Sequence, residues 1–122
     1  MAITSPQIFI FLFFLIFSGR ILRHVIVQAD GQGWCVAKPS SSEEELQSNI
    51  HYVCVETGMN CKIIQPGGAC YEPQATINHA SVVMNLFYQA HNRDIWTCDF
   101  THSGLITTND PSYGNCKYEY HN

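Results

Sequence analysis

Carboxylates and imidazoles carry most hydrolytic chemistry. Glu72, Asp94, Asp99 and Asp110 stand outside the Glu43-Glu44-Glu45 triplet and the chain termini, and they are the acids from which a catalytic pair would be drawn. A glycosidase places two carboxylates across the scissile bond, and their separation decides the stereochemistry; spacing along a chain does not supply that separation. Solvated or turn-capping acids are the better account of all four. His51, His79, His91, His102 and His121 could each act as a base. No serine sits in a nucleophile-elbow pattern, however, and the cysteines are better used otherwise. The expectation is a protein that is not an enzyme and needs no cofactor.

Six cysteines, Cys35, Cys54, Cys61, Cys70, Cys98 and Cys116, are separated by 18, 6, 8, 27 and 17 residues. No zinc pattern has those gaps, so no metal is expected. An even count suits three disulfides formed in an oxidising compartment, with the pairing left open by spacing. The richer signal is aromatic. Trp34, Tyr52, Tyr71, Phe87, Tyr88, Trp96, Phe100, Tyr113, Tyr118 and Tyr120 crowd the last three quarters of the chain. An aromatic face is electron-rich, and the C–H face of a β-linked sugar ring is apolar and weakly positive. Stacking the two buries area while leaving the hydroxyls to neighbouring Asn, Gln, Asp and Glu. Tyr71, Tyr88, Tyr113, Trp96 and Phe100 are the candidate carbohydrate-binding residues. For Tyr71, Tyr88 and Tyr113, exposure and burial are equally open; Trp34 and Phe87 are expected in the core.

The elements that must carry these side chains follow from periodicity. Ser41 and Ser42 each have a Glu three residues on, so either caps a helix running roughly from Ser42 to Glu56, with Leu46, Ile50, Val53 and Cys54 at helical spacing and Gly58 as its stop. A second helix is expected from about Thr76 to His91. Its apolar stripe is Ala80, Val83, Met84, Phe87 and Ala90, while Asn78, Ser81, Asn85 and Gln89 lie elsewhere on its surface. Trp96 to Phe100 and Lys117 to Tyr120 read as short strands. Gln65-Pro66-Gly67-Gly68, Asn109 to Ser112 and Gly114 mark turns. The fold class is α+β: a small disulfide-rich domain of two main helices, a small antiparallel sheet and long loops.

Residues 1–29 read as a signal peptide. Ile8 to Phe17 is an unbroken apolar run of ten, too short to cross a bilayer and suited to a secretory leader. Val27-Gln28-Ala29 offers a cleavage site, with a cut near Gly19 as the other option. Cleavage after Ala29 leaves 93 of the 122 residues, keeping four of the six basic residues and all ten acids, for a net charge of −6 with His neutral. That charge disfavours nucleic acid, which binds through cations that neutralise phosphate. It disfavours an anionic membrane surface equally. No transmembrane segment is expected in the mature chain, and its last six residues, Lys117 to Asn122, lack the apolar tail of a GPI signal.

Several ordered motifs are recognisable together. Trp34-Cys35-Val36-Ala37-Lys38-Pro39 and Gln65-Pro66-Gly67-Gly68-Ala69-Cys70-Tyr71-Glu72-Pro73 resemble the plant X8 domain, carbohydrate-binding module family 43. So do His79-Ala80-Ser81, Met84-Asn85, Phe87-Tyr88-Gln89, Cys98-Asp99-Phe100 and the run from Asp110 to Cys116. The resemblance covers Trp34 to about Tyr118, so the domain is placed at residues 30–122. It implies secretion to the cell wall and non-catalytic binding of β-1,3-glucan of the callose or laminarin type. It also implies the pairs Cys35–Cys98, Cys54–Cys61 and Cys70–Cys116. Members commonly carry Tyr or Phe where this chain has Val82, which would remove one stacking face, and Asn60 replaces a common Asp in a longer Cys54–Cys61 loop. The alternative is a secreted cysteine-rich interaction protein whose glucan site has degenerated.

Overall fold

A computed structural model describes residues 31–122; the expected leader lies outside the described residues. In chain order the elements are β1 (Trp34–Ala37), α1 (Glu43–His51), a π-helical extension of α1 (Tyr52–Glu56), a 3-10 turn (Lys62–Ile64), α2 (Thr76–Ala90), a second 3-10 turn (Ile95–Cys98) and β2 (Gly104–Thr107). The α+β expectation holds: the described residues form two helices, one two-stranded antiparallel sheet and three disulfides.

The open choice between two serines falls to Ser42. Its side chain accepts from the Glu45 amide, and the Glu45 carboxylate accepts from the Ser42 amide, completing a capping box. The three acids that follow sit in the first turn, where the helix dipole is positive. The helix and its π-helical extension together end at Glu56, and Gly58 follows with φ +72°, a left-handed conformation that a side chain resists. α1 and α2 run side by side in the same direction. Thr76 at the start of α2 bonds Glu43 at the start of α1, Asn49 meets Met84, and the Tyr52 ring meets Phe87.

The polar residues of α2 overturn the surface assignment made from sequence. Ser81, Asn85 and Gln89 are buried. Ser81 Oγ accepts from the Ala37 amide at 2.9 Å, Asn85 Oδ1 accepts from the Cys35 amide at 3.1 Å, and Gln89 Nε2 donates to the Gly33 carbonyl at 2.9 Å. Four helical residues advance about 6 Å and two strand residues about 6.6 Å, so the two repeats stay in step. α2 thereby supplies side-chain partners along the β1 edge that β2 leaves free. β2 pairs the other edge in the register Trp34 with Thr107, Cys35 with Ile106, Val36 with Leu105 and Ala37 with Gly104. Of the expected apolar stripe, Ala80, Val83 and Met84 are buried, Phe87 is partly buried and Ala90 is exposed.

Both expected strands are corrected. At Trp96 the chain forms the 3-10 turn because the Asp94 carboxylate accepts from the Trp96 amide at 3.0 Å, capping it. Lys117 to Tyr120 pairs with no strand among the described residues: Tyr118 N donates to Ser112 Oγ, and Asn85 Nδ2 donates to the Glu119 carbonyl. The strands instead lie at Trp34–Ala37 and Gly104–Thr107. Two apolar clusters flank α2. One gathers Leu46, Ala80, Met84 and Tyr88 with Cys35 and Cys98; the other gathers Val53, Ile64, Val82 and Val83 with Cys61, Cys70 and Cys116. Cys35–Cys98, Cys54–Cys61 and Cys70–Cys116 are the bridges, so cross-links and core are largely the same residues.

Candidate functional site

The C-terminal ends of the two parallel helices open into a groove with a cavity of about 330 Å³. One wall comes from α1 and its extension, with Ser48, Asn49, Tyr52 and Glu56; the other comes from Trp96, Thr97, Phe100 and Thr101, with Phe87 of α2 at the base. The rings are mutually braced. Phe87 packs edge-on to Tyr52 at 5.6 Å and to Phe100 at 5.7 Å, and His91 lies against it at 4.0 Å. The His91 ring is oriented by Nδ1–H donation to the Phe87 carbonyl at 2.7 Å. Trp96 stands at the rim, 77% exposed, and Tyr52 is 43% exposed. The Trp96 indole thus stands open to solvent on the 3-10 turn.

Phe100 and Thr101 reach the groove by an unusual backbone. Phe100, Thr101 and His102 are all left-handed, at φ +44°, +53° and +68°. For residues with a Cβ this costs about 1–2 kcal/mol each. The surrounding bonds hold the turn. Ser103 N and Gly104 N both donate to the Asp99 carbonyl, Ser103 Oγ donates to the Phe100 carbonyl, and buried Asn49 donates to Ser103 Oγ at 2.8 Å. Gly104 is required here: a Cβ on it would sit 1.6 Å from the Cys98 carbonyl oxygen.

The five candidate residues are not one cluster. Trp96 and Phe100 line the groove together. Tyr88 does not reach a surface: it is fully buried, and among the described residues its hydroxyl has no hydrogen-bond partner. Burial raises the Tyr88 pKa, with the Arg93 guanidinium opposing. The position follows from helical phase, since Tyr88 lies on the same face of α2 as Ala80, Met84 and Asn85, towards β1. Tyr71 and Tyr113 lie elsewhere, both near the start of α2. The Tyr113 hydroxyl lies 2.7 Å from the Glu72 carbonyl and 3.0 Å from Asn78 Oδ1, and Tyr71 stacks on His79 at 5.9 Å. Next to Tyr113, Tyr118 is pushed up to about 12 by burial, and then by Tyr113 itself.

Sequence reading missed Tyr52, Glu56 and Ser48, and placed Phe87 wholly in the core. A signal was present: Ser48, Tyr52 and Glu56 recur every four residues, off the phase of buried Leu46, Asn49 and Val53. Trp34 is half-buried rather than in the core, its ring 4.8 Å from Tyr120, over which Arg93 lies at 5.1 Å. Val82 is 2% exposed and packs in the core, and the groove assembles four rings without it. Among the described residues lining the groove, Glu56 is the one carboxylate. Among the described residues, no group of three His, Cys, Asp or Glu could hold a metal ion, and no helix is long and apolar enough to cross a membrane.

The X8 domain family model matches residues 33–105, which carry β1, both helices, the first half of β2 and the whole groove. The chain belongs to the X8 domain family. Its X8 domain is 47% identical over 85 residues to the major pollen allergen Ole e 10 of Olea europaea, covering 70% of this chain and 69% of that protein. It is 48% identical over 85 residues to a glucan endo-1,3-beta-D-glucosidase of the same species, and 49% over 88 residues to a glucan endo-1,3-beta-glucosidase of Triticum aestivum. Those matches cover 70% and 72% of this chain but 18% and 19% of the two enzymes. The chain thus spans under a fifth of the length of the glucosidases it matches. Cys116 lies beyond the matched residues and is tied back into them by its bridge to Cys70.

Proposed function

We propose that this X8 domain binds β-1,3-glucan of the callose or laminarin type in the plant cell wall, outside the cell, and performs no catalysis on it. The groove carries this reading. Open Trp96 and Tyr52 faces suit the apolar faces of sugar rings, while Ser48, Glu56, Thr97 and Thr101 between them suit the hydroxyls. Two relatives are named as glucan endo-1,3-glucosidases, which favours the β-1,3 linkage. A single lining carboxylate favours binding without hydrolysis, since glycosidases of the common type use two. Three disulfides fit an oxidising, extracellular setting. A few stacked rings worth about 1 kcal/mol each, with hydrogen bonds that mostly replace water, give a dissociation constant of about 10 µM–1 mM.

Retention on insoluble β-1,3-glucan, with cellulose as the control, tests the proposal. The expected result is retention on the first and not on the second. Equal retention on both, or on neither, overturns the linkage preference.

A further inference from the structure

We infer that the Tyr71–Tyr113 surface is a second sugar-binding face, separate from the groove, so that one molecule holds two segments of glucan. This rests on the glucan reading above. The surface is built rather than incidental. Tyr71 donates its hydroxyl to Gln74 Oε1 at 2.9 Å, and Gln74 Nε2 donates to the Glu72 carboxylate at 2.9 Å. Asn78 Nδ2 donates to the Cys70 and Pro73 carbonyls, each at 3.2 Å, which turns its oxygen towards the Tyr113 hydroxyl. His79 donates Nε2–H to the Tyr71 carbonyl at 2.7 Å while its ring lies beside the Tyr71 ring. The Cys70–Cys116 bridge joins the two loops that carry the tyrosines.

Both phenol groups are therefore hydrogen-bonded inside the protein, and their rings are fixed before any ligand arrives. Tyr113 is 36% exposed. A fixed ring with a satisfied hydroxyl offers an apolar face at little entropic cost, and exposed Glu72 and Gln74 beside it suit sugar hydroxyls.

Helical geometry keeps the two faces apart. Asn78, which holds Tyr113, and Phe87, at the base of the groove, are nine positions apart on α2. Nine residues advance about 14 Å and turn about 900°, which leaves the two side chains half a turn apart. A short oligosaccharide lying in the groove would have to bend around the helix to touch Tyr113, so each face takes its own segment.

Amide chemical-shift mapping with a linear β-1,3-linked glucose trisaccharide, on the oxidised protein and on Trp96→Ala, tests this. Two groups of resonances are expected to move, one around Tyr52, Trp96 and Thr101, the other around Tyr71, Asn78 and Tyr113. In Trp96→Ala, whose side chain is 77% exposed and whose loss spares the core, the first group weakens by about fivefold while the second titrates with an unchanged midpoint. Movement of one group alone in the parent protein overturns the two-face arrangement and leaves glucan binding standing. Weakening of both groups together in the variant overturns it too, as one continuous surface. Movement of neither overturns the glucan reading itself.

Discussion

Within the groove, neighbouring aromatic residues have different work. Trp96 offers most of its indole to solvent, so its removal leaves the core alone, and in the proposed reading it subtracts only from ligand contact. Phe87 is the reverse. It is partly buried, and three other rings lean on it. Trp96→Ala is expected to weaken binding of a soluble β-1,3-oligosaccharide by about fivefold, one lost stack of about 1 kcal/mol, with no change in melting temperature. Phe87→Ala is expected to cost about 3 kcal/mol of stability. Titration calorimetry and thermal unfolding on both variants check the pair. A Trp96→Ala protein that binds undiminished removes the indole from the site.

Elements explain where the sequence was legible and where it was not. Both helices could be read almost to the residue, because capping chemistry and apolar spacing are local: Ser42 with Glu45 marks a start whatever else the chain does. The strands could not. Trp34–Ala37 is a four-residue strand recognisable only through its partners, β2 some 70 residues later and the polar stripe of α2. Ser81, Asn85 and Gln89 are indistinguishable by residue type from a solvated helix face, and only the unpaired edge of β1 makes them interior. The groove was half legible for the same reason. Trp96 and Phe100 announce themselves by composition, whereas the four-residue recurrence of Ser48, Tyr52 and Glu56 marks only a stripe on α1 and its extension, which becomes a groove wall once α1 lies parallel to α2. Asn85 tests this account of the interior. It accepts from the Cys35 amide and donates to the Glu119 carbonyl, tying strand and C-terminal segment to one side chain. Asn85→Ala leaves the Cys35 N–H buried and unpaired, and is expected to cost about 2–4 kcal/mol. Denaturant unfolding measures it. A loss below that of an exposed substitution such as Gln47→Ala would mean that water or another group replaces the amide.

For the molecule as a whole, the three bridges are unequal supports. In the chain-entropy account a cross-link stabilises by restricting the unfolded state, and the effect grows with the logarithm of the loop it closes. Cys54–Cys61 spans 7 positions, Cys70–Cys116 spans 46 and Cys35–Cys98 spans 63. The corresponding contributions are about 2.5, about 4 and about 4.3 kcal/mol. Location widens the gap: Cys35, Cys98, Cys70 and Cys116 are buried among core residues, whereas Cys54 is only partly buried at the end of α1. Replacing Cys35 and Cys98 by Ala therefore removes a long tether and opens space between β1 and the turn that carries Trp96. A domain of this size has only about 5–15 kcal/mol in total to lose. The double variant at Cys54 and Cys61 is expected to remain folded with a lowered melting temperature and intact glucan retention, because the π-helical extension that carries Tyr52 and Glu56 continues directly from α1 and closes on Thr57, whose amide donates to the Tyr52 carbonyl. The double variant at Cys35 and Cys98 is expected to lose cooperative unfolding and retention together. Circular dichroism on heating, followed by the glucan retention assay, separates the cases. If the Cys54–Cys61 variant proved the more damaged, the short loop rather than the sheet-to-groove tether would be what holds the site in shape.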